Sequence, residues 1–411
     1  MKTGRLLLIA ALLLLISLGA APSERWGFWG HRRLNRMAVF TLPPEMIVFF
    51  KKNIEFITEH AVDPDKRRYA TRHEAVRHYI DIDHWGEYPF AEVPRDWEEA
   101  LMKFTEVGLV GARGDTLRLT RDTVGREVMV SLETATGAVQ APYPSAYRSF
   151  FQEQIMPQYY EDNWQLSCDA LATLFGLPPE SIDCEQAYAV DHFSAYGIVP
   201  YYLPVMQQRL TNAFRSMDIP AILRLSAEFG HYIGDAHVPL HTTENYNGQL
   251  TDQIGIHAFW ESRIPELFAD QEYDYFVGKA EYISNPKDYY WDVVLASHVL
   301  VDSVLQIERE LSETFPEDKQ YCYEERLGRT IRTQCKAYAK AYQERLRGMV
   351  EDRMQATILS IGSAWYTAWV DAGQPDLDNM DQYQLSPEEM EELQALEEKV
   401  RTGGQKGRAH E

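Results

Sequence analysis

Two His-x-x-x-acid pairs, His231 with Asp235 and His257 with Glu261, lie within about thirty residues of each other, and His241 falls between them. Residues four apart on a helix share a face, so each pair can present a ring nitrogen and a carboxylate to one cation. His241 follows Pro239 and is therefore offered from a different direction. A single histidine of this kind is usually a hydrogen-bonded structural group; it is the constellation that points to metal. Nitrogen and carboxylate donors without cysteine fit zinc best, with manganese or iron behind it.

A helix must carry the first pair. Asp218 is a suitable N-cap and Pro220 a suitable first-turn residue for a helix running to about Ala236, with Pro239 beyond its end. Small Ala227 and Gly234 flank the ligand face and would let a neighbouring helix approach closely. Helical patterns also cover Arg32–Phe40, Glu45–His60, Tyr289–Thr314, Tyr323–Ala356 and Thr357–Val370. Alternating stretches between Gly-rich turns near Val107–Val139 read as a small β-hairpin insertion. The sequence thus predicts a mainly α, irregular multi-helix body over residues 22–386, with a β-containing insertion at about 95–215. An acidic helix and a disordered tail are expected over 387–411.

The chain has 411 residues, with 40 Lys and Arg against 62 Asp and Glu, a formal charge of −22. That composition fits a folded globular protein and argues against a broad basic face for duplex DNA, whose binding rests on Lys and Arg neutralising phosphates. A basic start, the apolar run Leu6–Leu18 and small residues Gly19–Ala21 describe a signal peptide over residues 1–21. The run is short for a membrane anchor, so a secreted or periplasmic protein is expected. In an oxidising compartment the two close cysteine pairs suggest Cys168–Cys184 and Cys322–Cys335 disulfides, with buried free thiols as the alternative.

Further upstream stand Trp26, His31, Asp63, Lys66 and the run His78, Tyr79, Asp81. Taken in order with His231, Asp235, His241, His257 and Glu261, this pattern resembles the superfamily of zinc-dependent phospholipases C and plant and fungal single-strand nucleases. The intervals from Trp26 to His31 and from Asp63 to His78 resemble the nuclease branch. Glu261 and the short step from His241 to His257 resemble the phospholipase branch. The long stretch between His78 and His231 has no counterpart in the fungal nucleases.

The resemblance implies three zinc ions. Asp63, His78, His231 and Asp235 would hold one; His241, His257 and Glu261 a second; and Asp235 would bridge to a third held with His31 and the backbone of Trp26. A water activated by metal would attack phosphorus, with Asp63 and Asp235 assisting and Lys66 stabilising the phosphate. Tyr79 and Asp81 would stack and hydrogen-bond a base. Leader removal near Ala21 leaves residues ahead of Trp26, whose amide nitrogen cannot ligate zinc, so two tight ions and a weak third are expected. The expected activity is hydrolysis of phosphodiesters, nuclease-like, with phospholipase C as the alternative. A non-catalytic, zinc-holding helical binding protein is the alternative of another class.

Overall fold

A computed structural model describes residues 28–124, 127–134, 137–159, 161, 164–326, 329–378 and 382–406. The expected signal peptide and Trp26 lie outside the described residues, as do residues 407–411 of the expected tail. The fold is mostly helical, as the patterning predicts, and it divides into two compact units. One is Val76–Tyr202; the other comprises the residues on either side, up to Ala75 and from Leu203. Among the described residues no helix is long and apolar enough to cross a membrane.

The Val76–Tyr202 unit opens and closes earlier than the expected insertion, so His78, Tyr79 and Asp81 belong to it. It holds far more strand than one hairpin. Strands β1 (Thr105–Val110), β2 (Thr116–Arg118), β6 (Trp164–Leu166) and β7 (Gln186–Asp191) form a four-stranded sheet in the order β2-β1-β7-β6. Strands β3 (Thr120–Val124), β4 (Glu127–Thr134) and β5 (Gly137–Tyr143) form a separate three-stranded sheet. In the β1–β7 pair Val107 faces Ala189 and Leu109 faces Ala187, and all four are buried, as the twofold side-chain period requires. Phe104 and Phe193 stack with ring centroids 5.1 Å apart, and Cys168 is bonded to Cys184.

The other unit is built from helices that converge on one buried segment. Helix α1 (Phe28–Ala38) buries His31, Leu34, Asn35 and Ala38, the i, i+3, i+4, i+7 spacing of one helical face. A short helix, α2 (Asp63–Arg67), follows the helix Ile54–Glu59. Helix α3 (Ile219–His237) starts where the sequence predicts: the Asp218 side chain accepts from the Ala221 amide, and Pro220 sits in the first turn. Every residue of α3 from Ser226 to His237 is buried. Helices α4 (Pro286–His298) and α5 (Val301–Thr314) replace the single run expected over Tyr289–Thr314.

The helix expected to begin at Tyr323 is instead a hairpin, β8 (Tyr321–Arg326) and β9 (Arg329–Gln334), followed by α6 (Lys336–Leu346). Its Tyr, Thr and Ile residues favour strands, and a bond between Cys322 and Cys335 ties its open end. Left-handed Arg347 and Gly348 then separate α6 from α7 (Met349–Asp371). The last helix, α8 (Pro387–Thr402), carries the capping box of Ser386 and Glu389 and buries none of its side chains. Helix α3 packs against α1, α4 and α7; the Trp365 indole donates to the Ser226 carbonyl at 3.0 Å.

Candidate metal centre

Helix α3 supplies the centre of the site. His231 and Asp235 are fully buried on one face, with His231 Nε2 3.4 Å from Asp235 Oδ2. The other carboxylate oxygen, Oδ1, lies 3.3 Å from His31 Nε2 and 3.9 Å from His241 Nε2. Asp235 therefore stands between histidines from three elements. The close approach of α1 depends on small residues: a Cβ on Gly234 would come within 3.0 Å of His31 Nδ1, and one on Gly230 within 1.9 Å of Asn35 Oδ1. Asn35 in turn donates to the Ala227 carbonyl at 2.8 Å. The small flank of the ligand face does what its sequence suggests.

The second pair lies beyond a turn led by left-handed Gly255. The helical stretch Phe259–Arg263 is wound more widely, as a π-turn, a form frequent at functional sites. It still brings Glu261 to 2.8 Å from His257, and to 3.5 Å from His241. Glu261 Oε1 is also 3.7 Å from His31 Nε2. Burial alone would push the Glu261 carboxyl up, but the adjacent His241 and His257 outweigh it and hold the group well below its usual range. Behind Glu261, buried Arg263 forks onto Glu324 of β8 and donates to the Gln334 carbonyl of β9. The disulfide-tied hairpin, which the sequence reading missed, thus braces this turn.

These donors suit a metal better than a hydrogen-bond network. Ligands about 2.0–2.2 Å from one tetrahedral zinc stand about 3.3–3.6 Å from each other. Most of the His–carboxylate separations here, 3.3 to 3.9 Å, are near that spacing and long for hydrogen bonds. Two groups, His31 with His231 and Asp235, and His241 with His257 and Glu261, each keep their ligand atoms within 4.8 Å. His231 Nδ1 is fixed on the Ala61 carbonyl at 2.8 Å, and His257 Nδ1 lies 3.2 Å from the Tyr246 carbonyl. Such backbone anchors orient the opposite ring nitrogen toward an ion. A cavity of about 40 Å³, lined by His31, Glu261, His237 and Arg353, adjoins the cluster and has room for water.

The acidic residue facing His231 from α2 is Asp65, 3.8 Å away, rather than Asp63. Asp63 is turned to His60 at 2.6 Å and Lys66 at 3.1 Å. Burial raises its pKa, but those two partners bring it below the ordinary value. Two acids separated by Pro64 offered the sequence a choice that spacing alone settled the other way. Lys66 also meets Glu397 at 2.6 Å, and its ammonium stays charged because the two carboxylates outweigh its burial. Arg68, fully buried and 3.5 Å from Asp65, was not singled out from sequence.

His78 is buried near the start of the Val76–Tyr202 unit. Tyr79 is buried there too, with its hydroxyl donating to the Ala195 carbonyl at 3.0 Å, so its ring packs in that unit and is not presented as a stacking surface. Asp81 is buried, its amide donating to the Tyr196 carbonyl. His237, two residues past Asp235, has a structural role. It bonds the Ile233 carbonyl at 2.8 Å and Ser360 at 3.1 Å, and burial pushes its imidazole down to about 3.

Compared with known proteins, the chain matches no family model and no curated protein.

Proposed function

We propose that this protein is a zinc-dependent hydrolase of phosphodiesters with the irregular helical fold of the phospholipase C and single-strand nuclease superfamily. Its substrate on this reading is single-stranded nucleic acid or nucleotides. The observation that carries the proposal is the sharing of carboxylates between the two donor groups. Asp235 is within 4 Å of His31, His231 and His241, and Glu261 is within 4 Å of His31, His241 and His257. Donors interleaved in this way fit neighbouring ions acting on one phosphate, the arrangement of multi-metal phosphoesterases.

Bound zinc would supply Lewis-acid polarisation of the phosphoryl group and lower the pKa of a water nucleophile. The chain's own residues supply the rest. Asp235 and Glu261 hold negative charge where it balances cations, and burial of the histidines keeps bulk water from competing for the donors. Lys66 keeps a proton and a positive charge for the phosphate oxygens. Asp65 takes the ligand place that the resemblance gave to Asp63. The two disulfides suit export through an oxidising compartment after removal of residues 1–21.

The test is metal content measured beside hydrolysis of bis(p-nitrophenyl) phosphate. Stoichiometric zinc and a turnover lost to chelator and regained with zinc support the reading. Metal without turnover turns it into a zinc-holding binding protein, and neither overturns it. Chelation should also lower the melting temperature by several degrees, since metal at a thousand times its Kd adds about 4 kcal/mol.

A second substrate reading, phospholipase C, is favoured by the covered Tyr79 ring and by the charge of −22. An acidic, aromatic-rich chain suits a choline-type head group better than a polyanion. Phosphatidylcholine and single-stranded DNA, assayed side by side, separate the two.

A further inference from the structure

Helix α8 lies against α2. The Glu397 carboxylate meets the Lys66 ammonium at 2.6 Å. Four residues beyond the helix, Lys406 donates its amide to the Arg68 carbonyl at 2.8 Å and its ammonium to the Ala70 carbonyl at 2.9 Å. Ahead of the helix, the Tyr383 amide donates to Asn53 Oδ1 at 2.8 Å, and the Tyr383 ring meets Phe56 edge-on. Phe56 packs in turn on His60, the partner of Asp63. The helix is strongly acidic: Glu388, Glu389, Glu391, Glu392, Glu397 and Glu398 stand against Lys399 and Arg401.

Two facts give this contact a consequence. First, Lys66 is only 13% exposed, and its carboxylate partners are Asp63, three residues away on α2, and Glu397 from the far end of the chain. Asp63 is also committed to His60. Glu397 therefore offers Lys66 a carboxylate oxygen where a phosphate oxygen would bind in the same charge-assisted geometry. Second, α8 has no fully buried side chain, and its Leu393, Leu396 and Val400 are only half-buried, so releasing it uncovers limited apolar surface. The contact to be broken is a partly exposed ion pair, a few hydrogen bonds, the Tyr383–Phe56 ring contact and the half-buried face of Leu393, Leu396 and Val400, with no fully buried side chain on the helix.

We propose that α8 is a displaceable strap, and that its Glu397 carboxylate competes with the phosphate group of the substrate for Lys66. This rests on the reading of Lys66 as a phosphate-facing group. In the strapped state the ammonium is paired with Glu397, and the net negative charge of α8 repels anions. An arriving phosphate takes Lys66, and α8 leaves. A strap docked about nine-tenths of the time raises the apparent Kd for the anion about tenfold.

The test uses the full-length, zinc-loaded protein with inorganic phosphate as the probe. Titration calorimetry on Glu397→Gln should show phosphate binding about three- to tenfold tighter than in the parent. Glu398→Gln removes the same charge from a side chain paired with Arg401 instead, and should leave the affinity unchanged. Lys66→Met should remove the difference between the parent and Glu397→Gln. In the parent, saturating phosphate should speed amide hydrogen exchange across residues 387–402. Equal effects of Glu397→Gln and Glu398→Gln, or no effect of either, overturn the strap, as does unchanged exchange. Hydrolysis of bis(p-nitrophenyl) phosphate keeps the two proposals apart. Zinc-dependent turnover with an unaltered KM in Glu397→Gln removes the strap alone. Tighter phosphate binding in a protein that hydrolyses nothing removes the enzymatic reading and leaves the strap standing.

Discussion

Helices α3 and α8 begin alike and end in different situations. Both have a side-chain N-cap, Asp218 or Ser386, and both carry proline in the first turn; they run 19 and 16 residues. Yet α3 is buried without interruption from Ser226 to His237, while α8 has no fully buried side chain. Capping satisfies the first amides and fixes where a helix starts. Burial decides whether the helix is a permanent support or a part that can leave. On the proposed reading, the metal-facing Asp235 is on the first kind, and Glu397, proposed to compete with an anion, is on the second.

The sharpest way to break this contrast is at the ligand face of α3. Asp235→Asn and His231→Ala should each reduce hydrolysis of an aryl phosphodiester to background and release metal, measured by elemental analysis. Asp235→Asn should be the more severe, because histidines from three elements surround that carboxylate. If either variant keeps full metal and turnover, α3 does not carry the centre.

Next in size is Gly230→Ala, which adds a Cβ where Asn35 Oδ1 stands 1.9 Å away. Despite the better helix propensity of alanine, the crowding should cost about 1–3 kcal/mol, read by thermal unfolding. No loss of stability would mean that α1 and α3 are not in close contact.

His237 separates position on α3 from ligand function. His237→Gln should retain zinc. The folded imidazole is held neutral at a pKa of about 3, chiefly by burial and then by the Arg353 charge, whereas an unfolded histidine titrates near 6.5. The unfolded chain therefore binds the extra proton between those values. The stability this group contributes is present above pH 6.5 and is lost as pH falls toward 3, by about 1.4 kcal/mol per unit. The glutamine variant should lack that share of the slope in denaturation measured across pH 6 to 4. Loss of zinc in this variant would reassign the ligands.

The smallest effect is expected on α8. Ser386→Ala removes one half of the capping box and should cost about 1 kcal/mol of helix stability. Because α8 has no fully buried side chain, the loss should appear as faster amide exchange over residues 387–402 with no change in the global melting temperature. A lower global melting temperature would show that α8 belongs to the cooperative core.

What could be read from the sequence was local in origin. The cap at Asp218, the stop at Pro239, the common face of His231 and Asp235, and the small residues beside it all follow from the geometry of a single helix. The two cysteine pairs lay close enough in the chain for proximity to pair them correctly. What the sequence could not supply depends on partners far along the chain. Strand pairing in the 321–334 hairpin was hidden within a helical pattern, because its alternation is short and its brace on Arg263 is remote. The interval to His78 favoured Asp63 over Asp65, and only the turn of α2 sends Asp63 to His60 and Lys66 and Asp65 toward His231. The ion pair of Lys66 with Glu397 joins residues more than three hundred positions apart, and no local pattern encodes it. Residue types and short spacings therefore determined which chemistry the chain can host. The tertiary structure decided which side chains meet, because Coulomb attraction and hydrogen bonding act over a few ångströms of space and take no account of distance along the chain.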